Sequence, residues 1–266
     1  MRVKSFLDPH YPKVSPEDLL THARAVFRDL ALRMLPVVNR ERKLEGVLTR
    51  ESVLALSSTR SNALVRDVMD NPPLSFKPDE DAFKAFEVMI EFDEWYVPVV
   101  DEARGRFQGI LSLDSFLRYV IRRDHPAHST PVEEVMSREV EFITPEEFIA
   151  KVWRKMTQLR FSGFPVVKGK NRVVVGIITQ HDLLRKGYTR IELESDSGPR
   201  PGPKVKEAMN SPAITVNLKG TLKDATFLMV KHDIGRIPVV NDKGELQGLI
   251  DRSDACSFYL KSGGSR

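Results

Sequence analysis

Between Phe148 and Ile191 the sequence carries ten basic residues: Lys151, Arg154, Lys155, Arg160, Lys168, Lys170, Arg172, Arg185, Lys186 and Arg190. One acid, Asp182, stands among them. A positive field of that density attracts polyanions such as nucleotides, nucleic acid or an acidic protein. Lys151, Arg154 and Lys155 are spaced i, i+3, i+4, so on a helix they share one face and can meet phosphates together. Trp153 lies between them and can stack on a base, although a Trp on an amphipathic helix more often packs. A merely solvated surface would show the same window. Catalysis finds no footing: there is no G-x-x-x-x-G-K-[ST], no H-E-x-x-H and no G-x-S-x-G. His181 and Asp182 are adjacent, so at a helix start their side chains diverge, and His181 reads as a surface residue. Cys256 stands alone, which excludes an intramolecular disulfide and a multi-cysteine metal site, and its apolar helical surroundings place it in the core. The chemistry on offer is binding, and the chain is expected not to be an enzyme.

The elements that position these residues follow from length and patterning. A chain of 266 residues predicts one or two compact units, and 41% hydrophobic with 29% charged residues is enough for a sizeable core. No apolar run reaches the ~18–20 residues of a membrane span, and the first residues lack a secretory apolar stretch, so a cytoplasmic location is expected. Seven Asn and four Gln beside 41 basic and 37 acidic residues hint at a heat-adapted source. Residues 1–124 hold 19 basic and 20 acidic residues, whereas 125–266 hold 22 and 17. The positive excess therefore belongs to the second half.

The chain repeats itself four times. Pro-Val-Val recurs at Pro36, Pro98, Pro165 and Pro238, and each is followed 10 or 11 residues later by Gly46, Gly109, Gly176 or Gly248 and two aliphatics. Each Pro-Val-Val predicts a β-branched strand, the polar turn a hairpin, and the Gly-aliphatic segment a second strand, such as Val173–Ile178 or Leu246–Ile250. An amphipathic helix precedes each hairpin: Phe148, Val152 and Met156 share a face in repeat three, and Leu222, Ala225 and Leu228/Met229 in repeat four. Pro16, Pro78 and Pro145 are placed at or just before helix starts. Val65–Met69, Val132–Met136 and Val205–Met209 open three repeats with V-x-x-[VA]-M, and repeat one lacks this opener. Connectors are expected at 57–64, 124–131 and 187–203, the last being the longest.

These motifs resemble four CBS repeats of archaeal, heat-adapted type, and the resemblance covers roughly residues 14–261. It implies a mixed α/β (α+β) fold of β-α repeats paired into two Bateman modules, which the family often stacks as a flat disc. The expected division is 1–124, with repeats at about 14–56 and 65–123, and 125–266, with repeats at about 132–186 and 205–261 joined by the linker 187–203. It also implies a cleft for an adenosyl compound such as AMP, ADP, ATP or S-adenosylmethionine. In the family's Thr/Ser-x-x-Asp motif the carboxylate accepts from both ribose hydroxyls, and the hydroxyl with nearby N–H groups donates to phosphate. Thr179 and Asp182 match it in repeat three. In repeat four Asp254 is present, but Asp251 replaces the hydroxyl and would repel phosphate. Thr49/Ser52 and Ser112/Ser115 lack the acid, and Asp114 is one position early.

The resemblance further places the backbone of Ser162 and Gly163 against the base and Arg236 against phosphate. Ser137, just after an opener, is a further candidate for a ribose or phosphate contact. Thr179 and Asp182 are also suited simply to cap a helix. Three functions stay open: a nucleotide sensor acting through a partner, an RNA- or ribosome-associated regulator using the basic field, and a ligand-free protein scaffold. No obligatory cofactor or metal is expected, and homodimers are common in the family.

Overall fold

In each repeat the Pro-Val-Val segment forms the first strand of an antiparallel hairpin. The computed structural model describes residues 1–54, 63–188 and 202–263. Repeat one supplies α1 (Leu20–Leu30), β1 (Met34–Val38), β2 (Leu44–Thr49) and α2 (Arg50–Leu54). Repeat two supplies α3 (Ala82–Glu91), β3 (Tyr96–Val100), β4 (Phe107–Ser112) and α4 (Leu113–Val120). Repeat three supplies α5 (Val132–Val135), α6 (Ile149–Leu159), β5 (Gly163–Lys168), β6 (Val173–Thr179) and α7 (Gln180–Arg185). Repeat four supplies α8 (Val205–Ala208), β7 (Val216–Asn217), α9 (Leu222–His232), β8 (Arg236–Val240), β9 (Leu246–Asp251) and α10 (Arg252–Gly263). The result is the expected mixed fold with small sheets. The connector 187–203 and the stretch 57–64 fall largely outside the described residues, as does Arg190.

The hairpins share one register. Val37, Val99, Val166 and Val239 pair with Gly46, Gly109, Gly176 and Gly248, and a bulge follows each of these valines. A short parallel contact extends every sheet: Val14 to Val37, Phe76 to Val99, Ile143 to Val166, and β7 to β8. The prolines sit earlier than expected. Pro16, Pro78 and Pro145 occupy the second position of turns closed by Asp18 N–H to Ser15 O, Glu80 N–H to Lys77 O and Glu147 N–H to Thr144 O. Proline's fixed φ suits that turn position. The helices therefore begin four residues later. Phe148 is not on the buried face of α6: it precedes the helix and is 42% exposed, while Ile149, Val152 and Met156 are buried.

The recurring glycines answer to the openers. The residue that follows each opener lies against the strand residue after the glycine: Asp8 on Ile110, Asp70 on Val47, Ser137 on Leu249 and Asn210 on Ile177. A Cβ on Gly176 would stand 2.8 Å from Asn210 O, and one on Gly109, whose φ is +149°, would stand 2.4 Å from Asp8 O. Only glycine allows that approach. Repeat one therefore does have an opener. Val3–Leu7 fills the role, with Val3 and Phe6 buried, Phe6 replacing the usual Val or Ala and Leu7 the Met. The looser spelling V-x-x-F-L hid it from a motif search.

The described chain divides into two compact units. Unit one holds Met1–Tyr11, Pro72–Val140 and Ile214–Arg266, and unit two holds Pro12–Asn71 and Glu141–Ala213. These are not the halves 1–124 and 125–266. Unit one contains the bodies of repeats two and four, and unit two those of repeats one and three. Openers are exchanged between sequence neighbours, so the opener of repeat one packs on repeat two and vice versa, and repeats three and four do likewise.

In unit one a single apolar core runs through both repeats, from Phe86, Phe116 and Leu117 to Met229, Ile237 and Tyr259. Cys256 belongs to it, as expected, and burial pushes its thiol well above the ordinary range. In unit two one cluster centres on Phe27, Leu35 and Leu48 and another on Val152, Met156 and Phe164. Trp153 packs against both, so its role here is packing.

Candidate functional site

The residues expected to hold a nucleotide fall into two groups. Ser162, Gly163, Thr179 and Asp182 lie in unit two, and Ser137, Arg236 and Asp254 in unit one.

In repeat three the end of β6 and the start of α7 build a reciprocal cap. Thr179 Oγ1 accepts from Asp182 N–H at 3.2 Å. Asp182 Oδ2 accepts from Thr179 N–H at 2.9 Å and from its hydroxyl at 2.6 Å. The helix-capping expectation for this pair is thus met, and it uses one carboxylate oxygen. Asp182 is only 2% exposed. Its other oxygen, Oδ1, accepts from the Asn210 side-chain amide at 2.6 Å. Asn210 directly follows the repeat-four opener and is exposed. Its own Oδ1 lies 3.5 Å from an Arg185 guanidinium nitrogen. Gly163 pairs with Thr179 across the hairpin, and a Cβ there would meet Ile178 O at 2.9 Å. Ser162 O accepts from Gln180 N–H at 2.9 Å. Four predicted residues are thereby brought together around the start of α7. Asn210 was missed, because it belongs to another repeat and only the exchange of openers carries it there.

Repeat four builds the same cap from two acids. Asp251 N–H donates to Asp254 Oδ2 at 2.9 Å, and Asp254 N–H to Asp251 Oδ1 at 3.0 Å. Where Thr179 offers a hydroxyl proton, Asp251 offers a second carboxylate. Burial, then the charge of Asp251, push the Asp254 carboxyl up to about 7, against the pull of Arg236. Arg236 starts β8 directly opposite Asp251 and lies 5.8 Å from the Trp95 ring centroid. Burial draws its pKa down, and the charges of Asp251, Asp93 and Asp254 oppose that. Ser137 is exposed and pairs through its backbone with Leu249, so it faces repeat four.

Repeats one and two close the cap with hydroxyls. Ser52 Oγ stands 3.2 Å from Thr49 Oγ1, and Ser115 N–H donates to Ser112 Oγ at 3.2 Å. Asp114 faces away from this cap, as expected; it accepts a hydrogen bond from Arg118 at 2.5 Å and forms an ion pair with Arg252 at 3.4 Å. Arg252 is 2% exposed and also bonds the Tyr96 hydroxyl and Asp233, each at 2.8 Å.

The basic window is less bare than its sequence. Lys151 pairs with Glu147 at 2.8 Å, and Lys155 with Glu141 at 2.6 Å. Lys155 also donates to Phe142 O, and Lys186 to Glu207 O. Arg172 stacks over Phe142. Arg154, Arg160, Lys168 and Lys170 are exposed. The compensating acids stand just outside the 148–191 window, which is why it looked unopposed. His181 is half-buried, its Nε2 3.1 Å from Arg28 O, and is not simply a surface residue. Among the described residues no helix is long and apolar enough to cross a membrane.

The CBS domain family matches at residues 3–58, 65–122, 132–188 and 205–261. The uncharacterized protein MJ1404 of Methanocaldococcus jannaschii is 26% identical over 98% of this chain, which spans 63% of that protein's length. MJ1225 of the same organism is 24% identical over 92% of this chain and 94% of its own. The crystal structure of MJ1225, described there as a proposed archaeal homolog of g-AMPK, superposes with a TM-score of 0.83 at 23% identity, covering 97% of this chain and 100% of that one. A Pyrococcus horikoshii protein described as uncharacterized superposes with a TM-score of 0.66, also at 23% identity, over 97% of this chain and 99% of its own.

Proposed function

The chain belongs to the CBS domain family, and on that premise we propose that it is a regulatory protein that binds an adenosine nucleotide and passes the bound state to a macromolecular partner. The observation that carries this reading is the division of labour at Asp182. One carboxylate oxygen is committed to the cap of α7. The other is held by an exposed side-chain amide, a partner that a ligand hydroxyl can replace without leaving a buried oxygen unpaired. Among the four repeats, only repeat three joins a Thr hydroxyl and an Asp carboxylate in this cap. In this proposal Asp182 takes the ribose hydroxyls and the backbone of Ser162 and Gly163 lines the base. The division into ligand modules 1–124 and 125–266 is proposed on the family resemblance alone. The bound state acts only as far as the ligand favours one conformation over another.

Calorimetric titration with AMP, ADP and ATP tests the reading. Asp182→Asn keeps an acceptor for the Thr179 N–H but removes the charge. It is expected to weaken the tightest nucleotide by about tenfold or more, the loss of a charge-assisted hydrogen bond. Unchanged affinity in a variant with unchanged circular dichroism would refute the role of Asp182.

The pairing of Lys151 and Lys155 with Glu147 and Glu141 neutralises the helix face that an RNA backbone would have to meet, which weighs against RNA as the partner.

A further inference from the structure

Two positions recur in every repeat. The first is the third residue of the helix after the hairpin: Ser52, Ser115, Asp182 and Asp254. The second is the residue that follows the opener packed on that hairpin: Asp70, Asp8, Asn210 and Ser137 in the same order. Repeat three shows that the two positions reach each other, because Asn210 Nδ2 donates to Asp182 Oδ1 at 2.6 Å. The backbone frame is the same elsewhere. Asp70 N–H and O pair with Val47 at 2.9 and 2.8 Å, Asp8 pairs with Ile110 at 2.9 and 3.0 Å, and Asn210 pairs with Ile177 at 2.9 and 3.0 Å. Side chains at one register point of a strand leave on one face.

Across the four repeats these paired positions hold one carboxylate each, never two and never none. Where the helix residue is Asp, the opener residue is Asn or Ser. Where the helix residue is Ser, the opener residue is Asp. Ser52 spends its single oxygen on its own turn, accepting from Thr49 N–H and donating to Thr49 O, so it has no second acceptor like Asp182 Oδ1. Asp70 and Asp8 are exposed. Asp8 Oδ1 accepts from His10 N–H at 3.0 Å, an interaction that fixes the carboxylate and leaves its other oxygen available to a further donor.

We infer that Asp70 in repeat one and Asp8 in repeat two are the diol-binding carboxylates of those repeats, supplied by the opener instead of the helix, so that each repeat can hold a ribonucleoside. The inference rests on the reading of Asp182 as the acceptor of a vicinal diol. A carboxylate accepts from two adjacent hydroxyls equally well from either side of the same edge, and only one is wanted there, because two would repel each other as Asp251 and Asp254 do.

The test is calorimetry on the full chain carrying Asp182→Asn and Asp254→Asn, with AMP, ADP and ATP and their 2′-deoxy counterparts as probes. Ribonucleotide binding is expected to persist in this background and to be weakened tenfold or more by the 2′-deoxy change. Asp70→Asn or Asp8→Asn should each remove one class of remaining sites. Adding Ser52→Asp to Asp70→Asn, which moves the acid to the helix position as in repeat three, should restore the lost class with its preference for ribose. No binding in this background, or binding indifferent to Asp8→Asn and Asp70→Asn, overturns the inference while leaving the Asp182 reading intact, provided Asp182→Asn alone weakened the wild-type protein. A wild-type protein that binds none of the three nucleotides overturns both.

Discussion

In unit one the apolar side chains of repeats two and four merge into a common core, and the buried Arg252 crosses between the repeats to reach Tyr96 and Asp114. Among the described residues of unit two, repeats one and three form two apolar clusters, linked through Trp153, with Leu184 of α7 joining the repeat-one cluster. The same repeat thus makes two kinds of pair, one fused and one bridged. A fused core resists relative movement because packed interiors have few alternative arrangements. A bridged pair has fewer contacts to exchange when a ligand changes its balance. The Thr179–Asp182 cap lies in the bridged unit, and α7, which carries it, also carries Leu184.

Phe116→Ala strikes the fused core hardest. Phe116 is 2% exposed and lies 4.9 Å from the Phe86 ring, so its loss should cost about 3–5 kcal/mol. Urea unfolding should still show a single transition for unit one; a split one would mean that its core is not continuous. Trp153→Ala is milder, about 2 kcal/mol for a half-buried side chain, but it should uncouple the two clusters of unit two. Calorimetric unfolding of unit two, a single transition in the wild type, should resolve into two transitions in this variant. If they stay superimposed, something other than Trp153 holds repeats one and three together.

The smallest effect contrasts the caps of repeats three and four. Asp254 holds its proton up to about pH 7 in the folded protein, against ~3.9 for an unperturbed Asp. The folded state therefore binds that proton more tightly than the unfolded chain. Its contribution is largest below about pH 4, declines as pH rises towards 7 and is flat above. Asp251→Thr, which installs the repeat-three arrangement, should raise Tm by about 2–4 °C at pH 8 and by less at pH 5. An equal gain at both pH values would show that the second carboxylate is not what separates the two caps.

Much of the fold was legible because it is written four times. Pro-Val-Val, the glycine ten or eleven residues on and the polar turn each have a local cause, and the strands followed. The opener of repeat one was obscured because Phe6 and Leu7 fill the same buried space in different letters. The capping pair at Thr179 and Asp182 was legible from spacing alone. Asn210 was not, nor was the matching of Asp70 to Ser52, because proximity there comes from a neighbouring repeat and no local pattern records it. The basic window misled for a related reason: Glu141 and Glu147 lie on the segment that leads into α6, outside the stretch whose charges were counted.

The exchange of openers bears on how such a chain can be divided or built. The backbone passes from one unit to the other at 11/12, 71/72, 140/141 and 213/214. A cut that isolated either unit would have to be made at all four places. One cut near residue 125 leaves two fragments, each with both of its openers seated, yet each fragment exposes half of the fused core and half of the bridged pair. Such halves have every reason to reassociate, because each leaves bare an apolar surface that the other covers.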